Sequence, residues 1–308
     1  MTSPFGPLTL IVNPRAGRRR TGAALPAIER ALRSLDLDHR VRTTAGPGDA
    51  TRLARQALEG GSRFLVAVGG DGTINEVVNG MIHGDQALVP DSVLGVVAAG
   101  SGSDFIRTLG LPAEAERAAR LLAGTQVREL DVGKVTYGDG EGRRAVRYFV
   151  NIAEAGLGGS TARRAASLPS ALGTARYFLA FWLTLPSFQV GSVRLEVDGH
   201  AAYEGRAVNV VVANCRFFGG GMQVSPRSDP SDGAVEAAVF TGPKTDSFTI
   251  LPKVYAGRHL PHPNIVELKG HRVEVETQPP LQIEADGEVL GTTPATVEVL
   301  TRALKVKV

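Results

Sequence analysis

The chain has 308 residues, 43% hydrophobic and 21% charged, with a net charge of +3; it is long enough for two domains and balanced like a soluble globular protein. So small a net charge argues against a nucleic-acid partner, and the single Cys215 excludes an intramolecular disulfide and suits a reducing, cytoplasmic setting. Residues 1–10 lack the features of a secretory leader, and the most apolar helix pattern, residues 177–185, is shorter than the roughly 20 residues of a membrane span.

In chain order, residues 8–12 read as a strand, and Leu25, Ile28, Leu32 and Leu35 then recur at helical spacing. The basic run Arg18-Arg19-Arg20 between them reads as a solvated loop. Residues 39–43 form a short strand. Gly48-Asp49 opens a helix carrying Leu53, Ala54, Ala57 and Leu58, which Gly60-Gly61 ends. Residues 64–68 are the third strand, and Ile74, Val77, Val78 and Met81 line a helix behind it. A fourth strand at 93–98 precedes a helix at 113–123. Alternating strands and helices imply a parallel sheet, which binds ligands at the carboxyl ends of its strands.

After residue 130 the rhythm changes. Strands are expected at 132–137, 146–152, 193–197, 207–213, 235–240, 265–268, 272–276, 281–285, 295–299 and 304–308, several alternating apolar and polar residues as half-buried antiparallel strands do. One helical region, 160–185, interrupts them. Its aromatic stretch, with Tyr177, Phe178, Phe181 and Trp182, reads as a buried helix. A shallow membrane contact helped by Arg163, Arg164 and Arg176 is the alternative. The expected fold is α/β plus β: an N-terminal parallel-sheet nucleotide-binding domain over residues 1–130, and a mainly antiparallel β-sandwich domain over residues 131–308. The last strand is free to return to the first domain.

The most specific string is Val68-Gly69-Gly70-Asp71-Gly72-Thr73-Ile74-Asn75-Glu76-Val77-Val78-Asn79-Gly80. A strand, a glycine turn and a helix start point unpaired N–H groups and a helix dipole at a phosphate, and Asp71 can hold a metal or its water beside it. No Lys follows, so this is not the G-x-x-x-x-G-K-[ST] loop. Three further stretches also lie where strand patterns end: Asn13-Pro14-Arg15-Ala16-Gly17, Gly100-Ser101-Gly102-Ser103-Asp104-Phe105, and Asp286-Gly287-Glu288. Each alone reads equally as a turn.

Taken in order, these stretches resemble the signatures of the diacylglycerol kinase-like lipid kinases over nearly the whole chain, together with Leu130-Asp131-Val132-Gly133-Lys134, residues 151–159, Gly219-Gly220-Gly221-Met222 and Asp232-Gly233. The resemblance implies an ATP-dependent lipid kinase, with catalysis in a cleft between a nucleotide-binding domain and a lipid-binding domain. It implies ATP binding at Asn13, Pro14, Arg15, Ala16, Gly17, Thr44, Gly69, Gly70, Asp71, Gly72, Thr73, Ile74, Asn75 and Ser101. Asp71 and Asp104, with Asp131, would organise Mg²⁺, Glu288 would be the general base on the lipid hydroxyl, and Asp229, Asp232 and the backbone of Ala234 would hold a structural Mg²⁺. Ser101 replaces the family Thr, Ser103 its Asn, Ile106 its Ala and Ala98 a common Pro. The implied acceptor is diacylglycerol, giving phosphatidic acid, with sphingoid bases, phosphatidylglycerol and other hydroxyl lipids left open. The setting is the cytoplasmic membrane surface, without insertion, and a homodimer is implied by the resemblance alone. NAD kinase shares the G-G-D-G-T turn and is the nearest rival; a non-catalytic nucleotide- or lipid-binding protein is the other.

Overall fold

The computed structural model describes residues 3–17, 20–98, 103–141, 143–169, 172–173 and 175–308. Its elements are β1 (Leu8–Val12), α1 (Arg20–Ser34), β2 (His39–Thr43), α2 (Asp49–Glu59), β3 (Phe64–Gly69), α3 (Asp71–Met81), a small hairpin of β4 (Ile82–His83) and β5 (Gln86–Ala87), β6 (Val93–Ala98), α4 (Asp104–Leu109) and α5 (Ala115–Leu121). There follow β7 (Val127–Gly138), β8 (Arg144–Phe149), β9 (Ile152–Gly156), α6 (Leu157–Ala166), α7 (Ala175–Thr184), β10 (Gly191–Val197), β11 (His200–Ala207), β12 (Asn209–Ala213) and β13 (Val235–Phe240). The last are α8 (Ser247–Val254), β14 (Ile265–Gly270), β15 (Arg272–Gln278), β16 (Gln282–Ala285) and β17 (Glu288–Lys307). The chain divides into two compact units, Met1–Asp131 with Leu300–Val308, and Val132–Val299.

In the first unit the strands run in the order β2–β1–β3–β6, all parallel, and Lys305 and Val306 of β17 add parallel to Val93 and Leu94 of β6. Every residue of β1, β3 and β6 is buried. That explains their nearly continuous apolar sequences, since helices cover both faces of such a sheet. Leu8, Leu10, Phe64, Val66 and Val97 pack with Ile28 and Leu32 of α1 and Ala119 of α5. Elsewhere α2 and α3 lie so close that a Cβ on Gly80 would strike the Thr51 carbonyl. The register sets Val12 beside both Thr43 and Val68, and Gly69 beside Ala98. The loops after β1, β2, β3 and β6 therefore leave the sheet side by side.

The second unit is antiparallel, with strand order β14–β13–β12–β9–β16–β17; β17 also pairs β15, which continues to β10 and β11. Ala153, Ala155, Val210, Val212, Val235 and Ile283 from the first series share one core with Val193, Leu195, Val273 and Val275 from the second, the layered arrangement of a sandwich. The strand expected at 146–152 is two strands. They break where the Val150, Asn151 and Ile152 N–H groups all donate to the Asp286 carboxylate, at 2.7, 3.0 and 3.1 Å. The single helical region expected at 160–185 is two helices, and α8 is a further one. The buried-helix reading of residues 177–185 is corrected as well. α7 lies on the surface with Phe178 59% exposed and Leu183 44%, because only Ala180 and Thr184 turn fully inward.

Candidate functional site

At the carboxyl edge of the first unit, Asn13 leaves β1 into a tight turn. Its N–H donates to the Val68 carbonyl, its carbonyl accepts from Ala16, and its side-chain oxygen accepts the Arg15 N–H at 3.1 Å. Pro14 and Ala16 lie within this turn, and Gly17 closes it at φ 59, a left-handed conformation that glycine adopts without strain. Asn13 Nδ2 reaches across to donate to Thr73 Oγ1 at 3.2 Å, so the first and second motifs are joined. Thr44 follows β2, buried, with its N–H on the Val12 carbonyl.

Helices α2 and α3 both begin at this edge, and their N-termini differ. That of α2 is taken: Glu76, on α3, accepts from the N–H groups of Gly48 and Ala50 at 2.9 and 3.0 Å, and Asp49 accepts from Ala45 at 2.8 Å. That of α3 is open. Gly70 caps it without a side chain, Gly72 is exposed, and among the described residues no side chain takes the N–H groups of Asp71 or Gly72. An uncapped helix start is where an anion gains most from N–H groups and dipole together. Gly69 is needed for packing, because a Cβ there would sit 2.7 Å from Thr73 Cβ. Ile74 and Asn75 point inward. Ile74 is in the core, and Asn75 is buried with its side-chain oxygen accepting from Asn79 at 3.0 Å.

Asp71 Oδ1 accepts the Phe105 N–H, the start of α4, at 3.1 Å, which joins the third motif to the second. Ser101 and its neighbours 99–102 lie outside the described residues, as do Arg18 and Arg19. Ser103 has φ 62, a left-handed conformation that Asn tolerates better than Ser. The departure from the family pattern thus bears on the backbone as well as on hydrogen bonding. Of the three expected Mg²⁺ carboxylates, Asp71 is half-buried, whereas Asp104 and Asp131 are buried. Asp104 lies 3.6 Å from Arg107, and Asp131 accepts the N–H of Arg302, a left-handed residue of β17, at 2.8 Å. Among the described residues no three His, Cys, Asp or Glu side chains converge on a metal position. Asp71 fits an Mg²⁺ held chiefly by nucleotide phosphates and water.

In the second unit, Asp286 pins the turn before Glu288 through its three backbone hydrogen bonds. Arg147 Nη2 donates to Glu288 Oε1 at 2.7 Å, and the Glu288 side chain is 44% exposed. At the other expected metal position, Asp229 Oδ1 accepts from the N–H and hydroxyl of Ser231, and Asp232 Oδ1 from the Ala234 N–H. The Lys269 ammonium sits 2.7 Å from Asp232 and 3.1 Å from Glu236, and these two carboxylates push its pKa up. Lys269 is the cation paired with Asp232 at this corner.

Residues 7–135 match the family described as the diacylglycerol kinase catalytic domain, and residues 151–308 match the YegS C-terminal NAD kinase beta sandwich-like domain. A Bacillus subtilis protein named diacylglycerol kinase is 30% identical over 92% of this chain and 90% of its own length. The chain belongs to the diacylglycerol kinase family. A relative in Escherichia fergusonii, named "Probable lipid kinase YegS", is 28% identical over 89% of this chain and 87% of its own. A crystal structure from Bacillus anthracis str. Sterne, provisionally assigned as a diacylglycerol kinase, superposes with a TM-score of 0.77 at 26% identity, covering 99% of this chain and 98% of that one. This member of the family is a lipid kinase, and no helix among its described residues is long and apolar enough to cross a membrane.

Sequence reasoning passed over Glu76, Arg147, Glu154 and Glu284. The last two carried a signal. Each is an acid alone in an apolar strand, Ile152-Ala153-Glu154-Ala155 and Ile283-Glu284-Ala285.

Proposed function

We propose that this kinase transfers the γ-phosphoryl group of ATP to the primary hydroxyl of a lipid, diacylglycerol first among acceptors, to give phosphatidic acid. The observation that carries the reading is the open N-terminus of α3, with Asp71 in its first turn and the Asn13–Thr73 hydrogen bond beside it. The Asn13–Gly17 turn and the N–H groups of Asp71 and Gly72 bind phosphate oxygens. Asp71, with bound waters, would hold a Mg²⁺ whose charge would offset that developing on the transferred group. On the acceptor side, Arg147 orients the Glu288 carboxylate through Oε1, and that carboxylate takes the hydroxyl proton. The lipid oxygen forms its bond to γ-phosphorus as the bond to the departing ADP oxygen breaks.

Transfer of label from γ-labelled ATP to a detergent-solubilised lipid panel, with NAD⁺ included, tests the reading. Diacylglycerol should be labelled by wild type, and Asp71→Ala and Glu288→Gln should each lower turnover by about 10²-fold or more while binding ATP within a few-fold. Label on NAD⁺, or undiminished turnover in Glu288→Gln, would sink it.

The resemblance adds a homodimer at the cytoplasmic membrane surface to this proposal. The exposed side chains Phe178, Leu179 and Leu183 of α7 and Phe248 of α8 favour surface contact, with Arg176 on α7 and Arg163 and Arg164 on α6, which packs against it. Sedimentation with phosphatidylglycerol vesicles should carry wild type down and leave Phe178→Ser/Phe248→Ser in the supernatant; equal sedimentation of both would remove these residues from the contact.

A further inference from the structure

A row of side chains crosses one face of the second unit's sheet: Ala238, Val211, Glu154, Glu284 and Val289 stand opposite one another on β13, β12, β9, β16 and β17. Residues directly opposite across antiparallel strands point to the same face with Cβ atoms about 5 Å apart. Two glutamates therefore stand side by side in an otherwise apolar row. Glu284 is 1% exposed and its Oε1 has no hydrogen-bond partner. Glu154 opens instead on a cavity of about 140 Å³, lined by Leu157, Phe181, Val211, Met222, Ile250 and Val254 among others.

The surroundings of Glu154 are built around it. A Cβ on Gly158, at the start of α6, would strike its carboxyl group. Asn209 stands between the two: it accepts the Gly158 N–H at 3.2 Å and donates to Glu154 Oε2 at 2.7 Å. The helix N–H thus goes to the amide, and Glu154 Oε1 is left for a proton. Two carboxylates this close in an apolar setting cannot both ionise. Burial pushes Glu154 up to about 7, and burial together with Glu154 pushes Glu284 well above the usual carboxyl range. The other charged groups facing the pair work the same way: Asp286 and Glu288 act on Glu284, and Asp246 lines the cavity.

We infer that Glu154, set beside Glu284 in the cavity wall, donates a hydrogen bond into the cavity and reads an ester carbonyl of the acceptor lipid. Resting on the lipid-kinase reading, this makes the pair a selector for glycerolipids, whose ester carbonyls accept but cannot donate. A long-chain amino alcohol, which offers an ammonium, would need the carboxylate instead.

Trp182, the single tryptophan, reports occupancy. Its ring lies tilted 4.7 Å from Phe248 and meets Phe181, which lines the cavity, edge-on at 5.2 Å between centroids. Fluorescence titration with dioctanoylglycerol, without ATP, separates this inference from the kinase reading. At about pH 6, Glu154→Gln, which keeps a donor, should bind within about threefold of wild type and Glu154→Leu about tenfold more weakly. Raising the pH to about 9 should weaken wild type by about tenfold and leave Glu154→Gln unchanged, since only the acid loses its proton. Both variants remove a buried acid and should melt no lower than wild type. The inference falls if Glu154→Leu binds as wild type does. It also falls if sphingosine binds more tightly as pH rises and Glu154→Gln abolishes that binding, the behaviour of a carboxylate counter-ion.

Discussion

Gly69, Gly72 and Gly80 belong to one motif and answer to different neighbours. Gly69 makes room for Thr73, and Gly80 lets α3 lie against α2, whereas a Cβ on Gly72 would meet nothing within 4 Å. Gly80→Ala should therefore cost about 1–3 kcal/mol of stability, as overpacked sites do, and scarcely alter the KM for ATP. Gly72→Ala should melt at or above the wild-type temperature, because Ala is the better helix former by about 1 kcal/mol, while the KM for ATP rises several-fold. Thermal melts and ATP kinetics on the two variants check this, and an unchanged KM in Gly72→Ala would remove that glycine from the nucleotide site. What the sequence made legible at this scale were residues just past strand ends: Asn13, Asp71 and Glu288 follow apolar runs whose ends the strand pattern already marks. Glu154, Glu284 and Arg147 were not legible, because their meaning comes from partners on other strands and register cannot be read from a single strand. Ser103 is instructive in another way. Its hydrogen bonding was visible in the residue type, but its left-handed backbone was not.

The elements were read best where both faces are covered. β1 and β6, buried along their whole length, begin and end where the apolar runs do. Errors gather where a pattern is interrupted. β11 is largely exposed and carries no apolar alternation, and α8 contains Pro252, which reads as a break. β17 reads in the sequence as strands at 295–299 and 304–308, yet the chain runs through Gly291, Pro294 and the left-handed Arg302 as one strand. Helix ends matter to function here as well. Glu76 closes the start of α2 and thereby holds the loop that carries Thr44. Glu76→Ala should lower stability by about 1–2 kcal/mol, the usual cost of a lost cap, and raise the KM for ATP with little change in kcat. Denaturant unfolding with parallel kinetics measures both; a variant as stable as wild type would mean that this carboxylate is dispensable as a cap.

At the scale of the whole molecule, the parallel rhythm before residue 130 and the antiparallel rhythm after it were enough for the fold class, because sheet type follows from what lies between strands. The path of the chain between the units was less accessible, since neither strand that passes from one to the other differs in composition along its length. That path has a consequence for how the protein is made. The first unit's strand beside β6, with Val306 fully buried and Lys305 bonded to Asp91 at 2.6 Å, is encoded after all of residues 132–299. A fragment stopping at Asp131 therefore leaves the edge of β6 without its partner. During synthesis, which proceeds at about 5–20 residues per second, the first unit emerges first yet stays unfinished until the second has followed it off the ribosome. The later-made half can thus close while the earlier-made one still waits for its last strand.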